Sequence, residues 1–242
     1  MKLDRKVAVV TGAARGIGQT IALTYACEGA LLSLWDIGAD GLKQTAEEIK
    51  RTKGEALALK TDVTRPDEIE SAVKATLERF GQIDILVNSA ALKMAFIVPR
   101  EKRASYHFWE IKPARWRRLL DVNITGAFLC CQRVAQHMVE RKSGSIINIT
   151  TGNETKFRRG YAPYGTSKAG LEAMSLSIAK ELQPHGVRVN LLQPGGAVNL
   201  SGENDPSLLP YDVMVPAALF LASDESREVY GEMFIGKEWK IS

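Results

Sequence analysis

Val7-Ala-Val-Val-Thr-Gly-Ala-Ala-Arg-Gly-Ile-Gly18 is the stretch on which the reading of the fold turns. Val7–Thr11 is apolar almost throughout, as expected of a strand buried on both faces, and it runs straight into a turn punctuated by glycines 12, 16 and 18. Glycines at those positions permit a tight turn, close approach of backbone N–H groups to a pyrophosphate, and close packing of the following helix on the sheet. The same spacing also fits a plain strand–helix turn, so the neighbouring elements have to decide.

Working outward, short Val/Ile/Leu-rich runs recur at Leu31–Trp35, Ala56–Lys60, Ile83–Asn88, Ser145–Thr150, Val187–Gln193 and Met233–Ile235. Between them the pattern predicts helices over Gly18–Glu28, Gly41–Lys53, Asp67–Phe80, Pro113–Arg141, Tyr161–Gln183 and Val213–Ser223. Regular β-α alternation with apolar strands predicts a single-domain α/β chain, a doubly wound, Rossmann-like parallel sheet with helices on both faces. The 242 residues, 45% hydrophobic and 25% charged, suffice for one such domain over residues 1–242 and exclude disorder, collagen and coiled coil as descriptions of the whole. The least regular stretches, Ala91–Lys112, Gly152–Gly160 and Gly195–Tyr211, all follow strands and belong at the carboxyl edge of the sheet, where ligands bind in this architecture.

The second strand ends in Asp36, 18 positions after Gly18. A carboxylate there can accept hydrogen bonds from both hydroxyls of an adenosine ribose and repels a 2′-phosphate, which favours NAD over NADP. Arg15 pulls the other way, and Asp36 also reads as a helix-start acid.

After Thr11-Gly12-x-x-x-Gly16-x-Gly18 come Asp62-Val63, Asn88-Ser-Ala, Asn123, Tyr164-x-x-x-Lys168 and Pro194-Gly195, in that order. Together these residues resemble the short-chain dehydrogenase/reductase family over nearly the whole chain. The resemblance implies that Gly12, Arg15, Gly16, Ile17, Gly18, Asp36, Asp62, Val63, Asn88, Tyr164, Lys168, Pro194 and Gly195 contact a dinucleotide. It also implies a catalytic set of Asn123, Thr151, Tyr164 and Lys168. Only Tyr164 among the six tyrosines has a lysine four residues on, which puts both side chains on one helical face. A free tyrosine titrates near 10, and the Lys168 ammonium together with an oxidised nicotinamide is expected to lower that value.

The resemblance implies that Asn123 kinks its helix and holds a relay water, and that Asp62 lines an adenine pocket. The residues by themselves also fit a buried asparagine satisfied by backbone and an ordinary turn aspartate. Thr151 departs from the family's serine; its hydroxyl can still donate to a carbonyl oxygen, within a narrower pocket. Asn88-Ser89-Ala90 is bulkier than the usual Asn-Ala-Gly, Asn199 stands where the family often has a threonine holding the nicotinamide carboxamide and can supply an amide hydrogen bond instead, and the Tyr230–Trp239 ending is altered while its last strand is expected to persist. The 195–215 segment is short and 91–112 long, so the earlier loop is expected to close the pocket. Small and apolar helix faces at Gly126–Cys131 and Ala169–Ser175 suit the homodimer or homotetramer that the resemblance implies, or core packing alone.

Charge is unevenly placed. The chain carries a net +4, yet Lys93–Arg118 has eight cations and two acids, leaving 24 cations and 26 acids elsewhere. No extended basic face is left for nucleic acid. The stretch reads as a solvated loop and helix start, or as a rim recruiting an anionic small-molecule carbonyl or alcohol substrate, with a carboxylate, a phosphorylated alcohol or an acyl carrier as examples. Cys27, Cys130 and Cys131 read as reduced thiols, and no metal site, membrane span or signal-type apolar run is read, so a cytoplasmic protein is expected. The expected activity is secondary alcohol–ketone interconversion; the alternatives are reduction of a 3-oxoacyl thioester and a catalytically weak dinucleotide sensor.

Overall fold

Strand β1 (Val7–Thr11) is buried along its whole length, as its apolar pattern requires. The computed structural model describes residues 1–103, 105–199 and 208–239, and in it six further strands join β1: β2 (Leu31–Asp36), β3 (Glu55–Lys60), β4 (Ile85–Asn88), β5 (Gly144–Ile149), β6 (Val187–Gln193) and β7 (Met233–Ile235). They form one parallel sheet in the order β3-β2-β1-β4-β5-β6-β7. The order reverses between β1 and β4, so the chain leaves these neighbours toward opposite faces and opens a crevice at their carboxyl ends.

The helices are α1 (Gly16–Cys27), α2 (Ala39–Arg51), α3 (Pro66–Phe80), α4 (Met94–Ile97), α5 (Pro113–Leu120), α6 (Ala127–Glu140), α7 (Asn153–Lys156), α8 (Ala162–Leu182) and α9 (Val215–Ala222). Local chemistry sets their ends. Helix α3 opens with Pro66, whose missing N–H costs nothing in a first turn, and closes on Gly81 at φ +80°. Helix α2 buries Leu42, Thr45 and Ile49, a 3–4 spacing that lays one face on the sheet. Two apolar clusters result, one on each face of the sheet, with Val10 and Leu34 in one and Val9 and Trp35 in the other. The Trp35 indole donates to Ser33 Oγ, which shares a hydrogen bond with Thr76 Oγ1, so the polar atoms on this inner strand are satisfied.

The single helix expected over Pro113–Arg141 is instead α5 and α6 joined through a π-helical stretch, Asp121–Gly126. The widened turn lies where the Asn123 side chain bonds the backbone of Leu92 on a separate loop. The irregular stretch after β4 contains α4 and two 3-10 turns, Arg100–Lys102 and Phe108–Glu110. Its Met94, Ile97 and Val98 form a third apolar cluster with Leu119, against which Tyr161 and Tyr164 pack. The terminal strand β7 persists, paired with β6. The 195–215 loop lies partly outside the described residues, at 200–207. No helix among the described residues is long and apolar enough to cross a membrane.

Close packing of α1 on the sheet rests on Gly18, where an added Cβ would stand 2.3 Å from the Gly12 carbonyl oxygen. Gly18→Ala is expected to lower the unfolding free energy by about 1–3 kcal/mol through forced backbone displacement, read as a lower urea midpoint at unchanged slope.

Candidate active site

At the carboxyl ends of β1 and β4 the backbone itself makes the site. Gly12 and Gly16 adopt φ +70° and +62°, and a Cβ on Gly12 would lie 2.8 Å from Ala90 N. Arg15 stands exposed at the start of α1. Lys93, on the loop after β4, is held down to about 8 by burial and by the charge of Arg15. A side-chain-free turn, a helix N-terminus and two neighbouring cations fit the diphosphate of a dinucleotide. Ile17 packs inward against the core, and the Tyr211 ring lies 3.5 Å from where a Gly16 Cβ would be.

Asp36 is drawn onto this turn: Oδ2 accepts from Ala14 N at 3.1 Å and Oδ1 from Gly38 N at 2.8 Å. Each oxygen keeps a lone pair for a sugar hydroxyl.

Asp62, expected to line an adenine pocket, is tied within the protein. Its Oδ1 accepts from Thr64 N and Oγ1, and its Oδ2 from Arg118 Nη2 at 2.8 Å. Burial raises the carboxyl, but the bonds from Arg118 and Thr64 outweigh it and hold it below the ordinary carboxylate range. Val63 is buried against Gly126. Asn88 turns its amide into the core, donating to Asn148 Oδ1 at 2.8 Å, which leaves only its backbone for the crevice. Pro194 O accepts from Lys237 N, and Gly195 follows at φ +83°.

Tyr164 and Lys168 lie in α8, and Lys168 Nζ donates to the Ile149 carbonyl at 2.8 Å, two residues before Thr151. That ammonium stands 5.9 Å from the Tyr164 ring centroid, and burial holds it down to about 8 against the opposing charge of Glu172. Tyr164 is pushed up to about 12 by burial, with Tyr161 adding to the shift. Burial of the phenolate sets this direction, with the Lys168 ammonium aimed at a backbone carbonyl; the lowering expected from the sequence belongs to Lys168 together with an oxidised nicotinamide. Among the described residues neither Thr151 Oγ1 nor Tyr164 Oη has a hydrogen-bond partner.

Asn123 is a positioning residue. Its Oδ1 accepts from Leu92 N at 2.7 Å, and its Nδ2 donates to Leu92 O and Ser167 Oγ. Ser167 Oγ donates in turn to the Tyr164 carbonyl. Both Asn123 donors are thereby used by protein acceptors.

Sequence reasoning missed Ser167 and Glu172. Glu172 accepts from Thr150 Oγ1 and from Lys156 Nζ, both at 2.6 Å, and ties α7 to α8. Lys156 lies in an irregular, polar stretch of the sequence and is nevertheless buried; a cation–acid pair 16 residues apart on different helices leaves no local pattern. The basic stretch is also partly internal. Arg103 donates to Tyr161 Oη, Arg115 to the carbonyls of Phe96 and Ile97, and Arg118 to Asp62.

Comparison with known proteins bears on this geometry. A family model described as short chain dehydrogenase matches residues 6–202. A 3-oxoacyl-[acyl-carrier-protein] reductase of Thermotoga maritima is 31% identical over 96% of each chain. A D-threitol dehydrogenase of Mycolicibacterium smegmatis is 34% identical over 95% of this chain and 90% of that one. Among solved structures, an NAD+-bound xylitol dehydrogenase superposes with a TM-score of 0.86 at 26% identity, covering 97% of this chain and 98% of that one. A metagenomic short-chain oxidoreductase in complex with NADP superposes with a TM-score of 0.83 at 30% identity, covering 97% of each.

The Lys156 ammonium is buried and its Glu172 partner half-buried, so removing the carboxylate strands an ammonium. Glu172→Gln is expected to cost about 3–5 kcal/mol of stability, and the double variant Lys156→Met/Glu172→Leu to recover most of it, measured by urea unfolding of the three proteins.

Proposed function

The chain belongs to the short-chain dehydrogenase family, and from that premise we propose that it is an NAD(H)-preferring oxidoreductase that interconverts a secondary alcohol and a ketone. The observation that carries the reading is the pair of unengaged hydroxyls, Thr151 and Tyr164, beside the buried Lys168 at the carboxyl edge of the sheet. The cofactor, when bound, supplies or takes up the hydride. Gly12, Arg15, Gly16, Ile17 and Gly18 hold its diphosphate, Asp36 its adenosine ribose, and the backbone of Val63, Asn88, Pro194 and Gly195 lines the remainder. Asp62, committed to Arg118 and Thr64, shapes the adenine side without an open carboxylate.

Tyr164 donates the proton during reduction. A phenol near 12 is fully protonated at neutral pH, the state a donor needs, and the carbonyl oxygen becomes basic enough to take the proton as it gains charge. Thr151 donates a hydrogen bond to the same oxygen and orients it. Lys168 lies beside the phenolate left behind and stabilises it while protonated. Asn123 and Ser167 hold the α8 backbone at Tyr164 in register with the loop after β4. Phe128 on α6 and Leu176 on α8 are exposed, in keeping with a homodimer or homotetramer through those helices.

A second reading, reduction of a 3-oxoacyl thioester, is favoured by the Thermotoga maritima relative and by the cations around the cleft. Measuring kcat/KM for neutral ketones, keto acids and acyl thioesters separates the two.

Two sets of outcomes are expected, the first concerning proton transfer. Tyr164→Phe loses about 10²–10⁴-fold in kcat/KM. For the native enzyme kcat/KM falls as pH rises through about 8, where Lys168 loses the proton it carries below that value; Lys168→Arg, protonated throughout, removes this limb from whatever activity remains. The second concerns the cofactor: NADH is expected to be used in preference to NADPH, and Asp36→Ala to narrow the ratio by about tenfold or more as the repulsion of a 2′-phosphate is lost while Arg15 stays, read from kcat/KM for each cofactor. Equal use of both by the native enzyme would overturn the NAD assignment.

A further inference from the structure

Beside the catalytic helix lies a second concavity that the proposed chemistry does not use. It is a cavity of about 500 Å³ between residues 106–111 of the long loop after β4 and residues 156–162 ahead of Tyr164. Its walls are aromatic and largely in water: Phe108 and Trp109 are each 69% exposed and Phe157 78%. Three such rings around one hollow are costly to leave wet, and scattered exposure does not account for their convergence. The rings are ordered against one another. His107 stacks on Trp109 at 4.3 Å with an interplanar angle of 4°, and Phe108 meets the Trp109 edge at 5.2 Å.

The polar part of the lining has one sign. Arg158 and Arg159 stand on it and, among the described residues, no carboxylate does; the ammonium of Lys156 is already matched by Glu172. The nearest acid of the loop, Glu110, is turned to the His107 backbone N–H. Arg158 lies 5.3 Å over the Tyr161 ring, and Tyr161 meets Tyr164 edge-on at 6.5 Å, so the hollow abuts the segment that carries the proton donor.

We infer that this hollow is a binding site for an aromatic carboxylate, the ring lying among Trp109, Phe108 and Phe157 and the carboxylate meeting Arg158. The volume suits a small organic ligand, a flat ring meets flat walls, and a planar guanidinium matches a carboxylate. That this ligand is the remote end of the carbonyl substrate rests on the oxidoreductase reading; the site itself does not. An acidic carrier protein would use the cations but leave the rings wet, and a second copy of the chain would cover the rings without needing the guanidinium.

Two measurements on the full chain test the inference. In the first, tryptophan fluorescence is titrated with benzoate and with neutral benzamide. Saturable quenching by benzoate is expected, about tenfold weaker for benzamide and for Arg158→Gln, and absent in Trp109→Phe. Quenching that is equal for the two ligands, unchanged in Arg158→Gln, or retained in Trp109→Phe overturns the site. In the second, NADH oxidation is followed with 2-oxo-4-phenylbutanoate, its methyl ester and 2-oxobutanoate. Arg158→Gln and Phe157→Ser are expected to raise KM for the first by about tenfold at unchanged kcat, with Arg158→Gln leaving the ester unaffected. Benzoate binding without turnover of any of the three supports the site and overturns its link to the substrate. Turnover with KM unchanged in both variants overturns that link while the oxidoreductase reading stands. Sedimentation of Trp109→Ala/Phe157→Ser showing a smaller assembly than the native chain overturns the small-ligand assignment in favour of self-association.

Discussion

One hydroxyl joins the two halves of the crevice. Thr11 Oγ1, at the end of β1, accepts from the N–H groups of both Ser89 and Ala90, each at 3.1 Å, as the chain leaves β4. Those donors lie beyond the last sheet pairing, Thr11 with Asn88, and would otherwise need water or a ligand. With the two strand ends held this way, Gly12 passes so close to Ala90 that no side chain fits between them. The Gly-rich turn on one side and the loop carrying Leu92 on the other then have fixed starting points. Asn123 is tied to Leu92, Ser167 to Asn123 and the Tyr164 backbone to Ser167. Tyr164 is thus located from the same junction that shapes the Gly-rich turn.

Much of this was legible in the sequence because its causes are local or periodic. Strands buried on both faces read as apolar runs, and the alternation with amphipathic helices left few topologies open. Glycines 12, 16 and 18 announce a backbone without side chains, and the spacing of Tyr164 and Lys168 places them on one helical face. What stayed illegible depends on contacts between distant segments. The π-helical turn at Asp121–Gly126 is foreshadowed only as the kink that the resemblance implies at Asn123, and its physical cause stays hidden because the loop backbone that Asn123 grips is about thirty residues away. The commitment of Asp62 to Arg118, 56 residues on, is equally invisible along the chain.

Charge shows the same division. The excess of cations in Lys93–Arg118 is real in sequence, but a count does not say which are available. Arg103, Arg115 and Arg118 are each bonded to protein acceptors and hold the loop and α5 in place. Guanidinium suits that task because its fork of donors can satisfy carbonyls from neighbouring residues at once, as Arg115 does for Phe96 and Ile97. Among the described residues only Arg118 of the three meets a carboxylate, so the long-range field contracts by that one pairing, while Arg103 and Arg115, bonded to neutral oxygens, keep their charge.

This contraction bears on how the site divides its work. Tyr161 occupies the boundary: its ring lies against Arg103 and Arg158, its hydroxyl accepts from Arg103, and its edge faces Tyr164. A tyrosine so enclosed is a rigid spacer, because moving it breaks contacts with both loops and with the third apolar cluster at once. On one side of it, hydrogen bonds and buried packing hold Tyr164, Lys168 and Asn123. On the other, exposed rings and guanidinium groups stand on loop backbone anchored at its base by the Lys156–Glu172 pair. Loop surfaces of this kind tolerate change in side chain because their backbone is already secured. The arrangement therefore lets side chains vary at residues 106–111 and 157–159 without disturbing the geometry at Tyr164, Lys168 and Asn123. Under the proposed function, substrate choice falls to that loop surface, and the reaction to the elements whose sequence patterns are the most regular.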